Sequence, residues 1–368
     1  MSLADYTAEG IRNSAPKFLK GQIDNTIRGW FLATFLKEAK RIKLKDNSHT
    51  INWNVKCRRP AVYTSRGQRP QFVQSDNNVQ LSINRARFEA VDKIDRDTMA
   101  INQGETQIVN LAETKVKDLV ASMFEALATA IYGDASADST LLAGLDTIFQ
   151  GTVTDDNDKV AVPSSGSAYG GRSMVLGANG GTWSYNLGAS GRYNTGISAD
   201  WPEGSGDPQY DYLAPKMLNY TGAWSATKTW AAQCEMLLRR ALVFMNALGG
   251  EGSAPGLHML ALALYTQFQD ALVGRERLYI SDYAKSLGFP GTLEFEGAMV
   301  RHDFACPAGV GYSLNVNQME LSSVYDDLFF LDGPTWSIEE QAYLMLSGFH
   351  GNIRYNPKYF VKHASYTA

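Results

Sequence analysis

Two alternating segments set far apart by a polar tip constrain this chain more than any other feature. Ile51, Trp53, Val55 and Cys57 alternate with Asn52, Asn54, Lys56 and Arg58, and Val79, Leu81 and Ile83 alternate with Gln80, Ser82 and Asn84. A period of two is that of a half-buried strand. The intervening stretch is polar and carries Arg59, Arg66, Arg69, Pro60, Pro70 and Gly67. Residues 50–88 therefore read as an extended hairpin, which cannot bury both faces against its own subunit and needs a partner surface. Arg58, Arg59, Arg66, Arg69 and Phe72 are the candidate contact residues. The alternative is a nucleic-acid hairpin, with the arginines on phosphates and Phe72 and Tyr63 stacked on bases.

The rest of the chain carries both helical and strand signals. Val116, Leu119, Val120, Met123, Phe124, Leu127 and Ile131 recur at three and four, so a long helix is expected from Val109 to Tyr132, with Gly133 as its stop. Shorter helices are expected at Thr26 to Lys40, at Thr227 to Leu248, from Leu257 through Phe268, and at Pro334 to Leu346. Short strands are expected at Arg277 to Ile280, at Leu293 and Phe295, at Val310 to Val316 after a Pro307-Ala308-Gly309 turn, and at Ile353 to Val361. Helices and strands are segregated rather than strictly alternating, which makes the fold class α+β. Residues 151–226 are rich in glycine, tyrosine and tryptophan and read as an ordered, loop-rich insertion, because disordered segments are poor in aromatics. Trp183, Tyr185, Tyr193, Trp201, Tyr210, Tyr212 and Trp224 suit packing of glycine-rich loops, with a sugar-stacking platform as the alternative.

The order of these pieces resembles the major capsid proteins of tailed bacteriophages with the HK97-like fold. Gly297, Val300 and Asp303 stand at the spacing of one motif of that family. Pro307, Gly309, Tyr312, Leu314 and Asn315 follow at the spacing of a second, and a Gly351-Asn352 pair marks a terminal strand. The resemblance covers about residues 45–368. It implies an N-terminal arm (1–45), an extended hairpin loop (46–90), a peripheral domain with a long spine helix (91–140 and 335–368) and an axial domain (141–334) that includes the insertion. It implies hexamers and pentamers of the chain around packaged double-stranded DNA, with scaffolding and portal proteins as partners, assembly in the host cytoplasm and residence in the virion. Other structural virion proteins, or a carbohydrate-binding module using the aromatic loops, are the alternatives. Some relatives join a hairpin lysine to an asparagine of a neighbour; the tip between Arg58 and Asn78 has no lysine, so no self-crosslinking is expected.

Composition narrows the remaining classes. The chain has 368 residues, 44% hydrophobic and 20% charged, enough for a large core and about two subdomains. The longest apolar run falls well short of the ~20 residues a membrane span needs, and the first residues lack a basic stretch before an apolar core, so neither a membrane partner nor a secretory signal is expected. Phosphate loop, nucleophile elbow and zinc-helix motifs are all missing, so no enzyme activity, cofactor or metal is expected. Cys57, Cys234 and Cys306 are too dispersed for a disulfide framework. Asp155 to Asp158 reads as a solvated acidic turn and Asp326-Asp327 as turn residues. The first hundred residues are basic and the remainder acidic, which favours contacts between subunits over a dedicated DNA-binding arm.

Overall fold

The computed structural model describes residues 30–46, 48–56, 78–101, 105–153, 155–163, 168–174, 213, 215–246, 256–273 and 293–366. The chain runs through α1 (Phe31–Glu38), β1 (Ile42–Lys43), β2 (Ile51–Lys56), β3 (Asn78–Ile83), β4 (Ala86–Asp95), α2 (Arg96–Ile101) and α3 (Glu105–Tyr132). Short strands follow: β5 (Gly151–Thr152), β6 (Val160–Pro163), β7 (Ala168–Tyr169), β8 (Arg172–Ser173) and β9 (Lys216–Asn219). Then come α4 (Trp230–Asn246), β10 (Gly256–Leu260), α5 (Leu262–Val273), β11 (Leu293–Phe295), β12 (Ala298–His302) and β13 (Gly311–Asn315). The last strands are β14 (Met319–Ser323), β15 (Phe330–Ser337), β16 (Ala342–Tyr355) and β17 (Phe360–Ala364).

Two sheets organise these elements. The first has five strands. The 14-residue β16 pairs with β4 along one side and with β15 and β14 along the other, and β14 carries β1 at its edge. The helix α3 packs on one face of this sheet through side chains that repeat at three and four. Val116, Leu119, Val120, Met123, Phe124, Leu127 and Ile131 are all buried, as their spacing predicts. Phe124 meets the edge of Phe329 at 4.5 Å, Phe329 meets Phe349 at 6.3 Å, and Phe349 stacks on Phe88 at 5.8 Å. This aromatic chain ties helix to sheet. At the helix end Gly133 donates its N–H to Ala130 O and the chain turns away, as expected.

The second sheet has eight strands in the order β11-β12-β10-β13-β17-β9-β6-β5. Every residue of β9 and β13, and all but one of β10 and of β17, is buried. Strands covered on both faces read as continuous apolar runs rather than alternations. The helix α4 lies against β10, β13 and β17, and α5 against β10 and β12.

Three expectations are corrected. Residues 334–346 are not helical: they form the end of β15, a turn and the start of β16. The run Glu339-Glu340-Gln341 suits a helix locally but forms the turn, because the residues on either side of it are held in strands, Thr335–Ser337 opposite Ala342–Leu344 and Ala342 opposite Asp95 of β4. The helix expected from Leu257 starts at Leu262, because Gly256–Leu260 is an inner strand between β12 and β13. The last strand is not continuous: β16 ends at Tyr355, a short 3-10 turn occupies Pro357–Tyr359, and β17 passes to the other sheet. The strand expected at Arg277 to Ile280 lies outside the described residues, as do residues 26–29 of the helix expected at Thr26 to Lys40.

Candidate assembly surface

The stalk of the predicted hairpin is present. β2 and β3 pair antiparallel from Ile51 opposite Ile83 to Lys56 opposite Asn78, and they form a two-stranded sheet separate from both larger ones. One stalk face packs on its own subunit. Ile51, Val55, Leu81 and Ile83 are buried, and Trp53 lies 5.7 Å from Tyr169, which stacks on Tyr355 at 4.3 Å. Tyr169 is itself pinned, its hydroxyl donating to Ile353 O at 3.1 Å and accepting from Tyr355 N at 3.0 Å. Burial pushes the phenols of both tyrosines well up, so both stay protonated. The opposite stalk face, with Asn52, Asn54, Gln80 and Ser82, is exposed. Arg85 anchors the exit of the stalk by donating to Ser48 O and Asp46 O, both at 2.6 Å. Burial alone would raise the Asp46 carboxyl, but hydrogen bonds from Ser48 and the Lys43 and Arg85 cations hold it below its ordinary value. The five candidate contact residues, Arg58, Arg59, Arg66, Arg69 and Phe72, lie outside the described residues.

A second surface went unread in the sequence. The five-stranded sheet has α3 on one face only. On the other, Val91 stands opposite Leu346 and Lys93 opposite Leu344, so Val91 and Leu344 are diagonal neighbours. Val91 is 76% exposed. Where β15 turns into β16, Ile338 is 82% exposed and Trp336 meets Tyr343 at 5.0 Å. Of eight large apolar side chains exposed among the described residues, Val91 and Leu344 lie on this face and Ile338 in the turn at its end, while Trp336, opposite Tyr343, lies on the other face of the same end. Such clustering marks an interaction site. At the opposite end of β16, a groove of about 380 Å³ separates the stalk from the ends of β14 and β16. Trp53, Val55, Met319 and Tyr359 line it together with the charged Arg41, Lys56, Glu320 and Arg354. Arg354 pairs with Glu320 at 2.8 Å, and Arg41 donates to Asn317.

The motif residues of the C-terminal third are structural. Asp303, 3% exposed, accepts from Leu32 N and Tyr132 Oη, both at 3.0 Å, and from Ala305 N at 3.1 Å. It joins α1, the end of α3 and the loop after β12. Tyr312 Oη donates to Asp146 at 2.7 Å, beside Lys362 at 2.6 Å. Asn315 caps the 3-10 turn after β13 through Asn317 N. Gly351 allows β14 to approach, since a Cβ there would lie 1.9 Å from Ser322 O. Its neighbour Asn352 accepts from Ala143 N at 2.9 Å and donates to Asn84 O at 2.7 Å, so this pair fastens the stalk exit to β16.

One buried cluster has the residue types of a catalytic site without the access. Ser313 Oγ lies 2.6 Å from His258 Nδ1 and 2.7 Å from His363 Nε2, across β10, β13 and β17. A hydroxyl carries one proton, so Ser313 donates to one ring and accepts from the other. All three residues are fully buried, and burial pushes both imidazoles down to about 3. No substrate reaches this serine, so the cluster is a structural cross-tie. Among the described residues no group of three or more His, Cys, Asp or Glu is placed to hold a metal, and no helix is long and apolar enough to cross a membrane. Cys234 and Cys306 are buried thiols outside any disulfide. Asp155 and Asp158 form a turn as expected, although Asp158 is buried in it rather than solvated. Of the aromatic residues named in the insertion, Trp224 alone is described; its indole donates to Asn219 O at 2.9 Å.

No protein-family model matches the sequence, and no curated protein matches it. Solved structures do match the fold. A chain from the capsid asymmetric unit of cyanophage A-1(L) is 12% identical, with 91% of this chain and 93% of that chain covered and a TM-score of 0.53. A chain from the capsid of the native GTA particle is 10% identical, with 91% and 90% covered and a TM-score of 0.51. The mixed helix and sheet fold of this protein is therefore that of phage-type capsid subunits.

Proposed function

We propose that the protein is the major capsid subunit of a tailed phage, and that its copies close into an icosahedral shell around double-stranded DNA. The observation that supports this most is the agreement of fold over nine-tenths of both chains with capsid subunits. The stalk and the bare sheet face add to it, because each presents surface that one subunit leaves uncovered. In this reading α3 and the five-stranded sheet form the peripheral subdomain and the eight-stranded sheet the axial one. β17 then joins the axial side. The hairpin tip, with Arg58, Arg59, Arg66, Arg69 and Phe72, lies over a neighbour in a hexamer or pentamer. Scaffolding and portal proteins are the further partners, DNA is held without sequence specificity, and the virion is the protein's location after assembly in the host cytoplasm. The subunit works by binding rather than by catalysis. Each contact is weak, and closure multiplies them.

Electron microscopy of the purified protein at rising concentration tests the reading. Closed shells, or tubes with a hexameric lattice, are the expected result; a monodisperse monomer at every concentration would contradict it. Boiled in detergent, the particles should give one band near 40.5 kDa, whereas a ladder resistant to reductant would show a covalent lattice.

A further inference from the structure

We propose that the turn between β15 and β16, residues 338–341, docks in the groove beside the stalk of another copy of the chain. The proposal rests on the capsid-subunit reading and names one of its contacts.

Turn and groove lie at opposite ends of the same strand. β16 starts at Ala342 beside the turn and ends at Tyr355 in the groove wall. At ~3.3 Å per residue its 14 residues span about 40 Å. A subunit therefore cannot fill its own groove with its own turn. A second copy can, and the contact is head-to-tail, the kind that closes into rings when the rotation allows.

The two surfaces are complementary in chemistry. The turn presents Ile338 at 82% exposure between Trp336 and two acids, Glu339 and Glu340. Glu339 has no ion pair among the described residues, and Glu340 has only an exposed one with Lys93 at 3.5 Å. Among the polar residues of its lining the groove offers Trp53, Val55, Met319 and Tyr359 to an aliphatic side chain. Within the lining Glu320 is matched by Arg354, which leaves Arg41 and Lys56 as the excess charge. Two carboxylates then face two cations around one buried isoleucine. An apolar centre within a charged rim is the usual anatomy of a specific protein contact. A nucleic-acid strand would match the cations but would leave Ile338 exposed, so a second copy is favoured.

A photo-crosslinking residue placed at position 338 tests the pairing in assembled particles. Crosslinks to residues 53–56, 317–320 or 354–359 of another copy are expected. Crosslinks from turn to turn, or to any other region, in particles that form normally would overturn the contact and leave the capsid reading intact. Charge exchange supplies a second readout. Lys56→Glu and Glu339→Lys should each lower particle yield severalfold with unchanged monomer circular dichroism, and the two together should restore it to within about twofold. Failure of the pair to rescue either single variant would overturn the proposal. So would a Lys56→Glu protein that assembles normally and loses only retained nucleic acid, which would assign the groove to DNA. If the unmodified chain forms no particles at all, the capsid reading fails first and this contact with it.

Discussion

The two sheets of this molecule solve opposite problems. The eight-stranded sheet is closed: its central strands are buried on both faces, and Ser313 is shared between two sealed histidines whose other ring nitrogens, His258 Nε2 and His363 Nδ1, find no partner among the described residues. The five-stranded sheet is half open. α3 covers one face, while β4 alternates buried and exposed positions and β15 has no fully buried residue. A subunit that had only to fold would gain by covering Val91 and Leu344. In the shell proposed above other copies would cover them, with one sheet holding the subunit together and the other joining it to its neighbours.

Substitutions can break or sharpen that contrast. The largest effect is expected where the half-open sheet meets its helix. Phe349→Ala removes the ring between Phe88 and Phe329 and should cost about 3–5 kcal/mol in denaturant unfolding of the monomer. A loss under about 1 kcal/mol would mean that the helix is not held through these rings.

The closed sheet should fail next, through its cross-tie. Ser313→Ala leaves two buried imidazoles without their shared partner, at a cost of about 1–3 kcal/mol. The same site makes stability depend on pH. Burial holds His258 and His363 near 3 in the folded state, against about 6.5 when unfolded. The unfolded chain thus binds the protons first. Stability is full above pH 6.5 and should fall as pH drops from there towards 3. Unfolding midpoints measured across this window should follow that slope, and His363→Gln should flatten it. An equally steep slope in the variant would place the dependence elsewhere.

The smallest effect on folding belongs to the open face. Val91→Glu should change monomer stability by no more than about 0.5 kcal/mol, as for an ordinary surface site, yet lower particle yield sharply. Destabilisation comparable to that of Phe349→Ala would show that Val91 is covered within its own subunit.

The sequence shows most where one period runs undisturbed. The buried stripe of α3 and the alternation of β2 and β3 are readable directly, because each side chain's face is set by local geometry. β4 is harder. Ala86, Phe88, Ala90 and Ile94 face α3, but Asp92 interrupts the apolar set, and its presence makes sense only once Lys115 of α3 is seen 3.2 Å away. Residues 334–346 mislead because the helix formers Glu339 to Gln341 sit in a turn between two strands whose pairing is long-range. The assembly surface is the least legible part. Val91 and Leu344 are 253 positions apart and look like any apolar residues until the register of β4 on β16 brings them side by side. The family-like motifs were visible, but their work is internal: Asp303, Tyr312, Asn315 and Asn352 hold elements together rather than meeting a partner.

The most direct test of the account is the reactivity of a cysteine placed at position 91, in a Cys57→Ser background, towards a maleimide. Val91 is 76% exposed in the isolated subunit, so Val91→Cys should label rapidly in the monomer. In assembled particles the account predicts labelling slowed at least tenfold as neighbouring copies cover the sheet face. Equal rates in monomer and particle would contradict it, since the open face would then remain open in the shell.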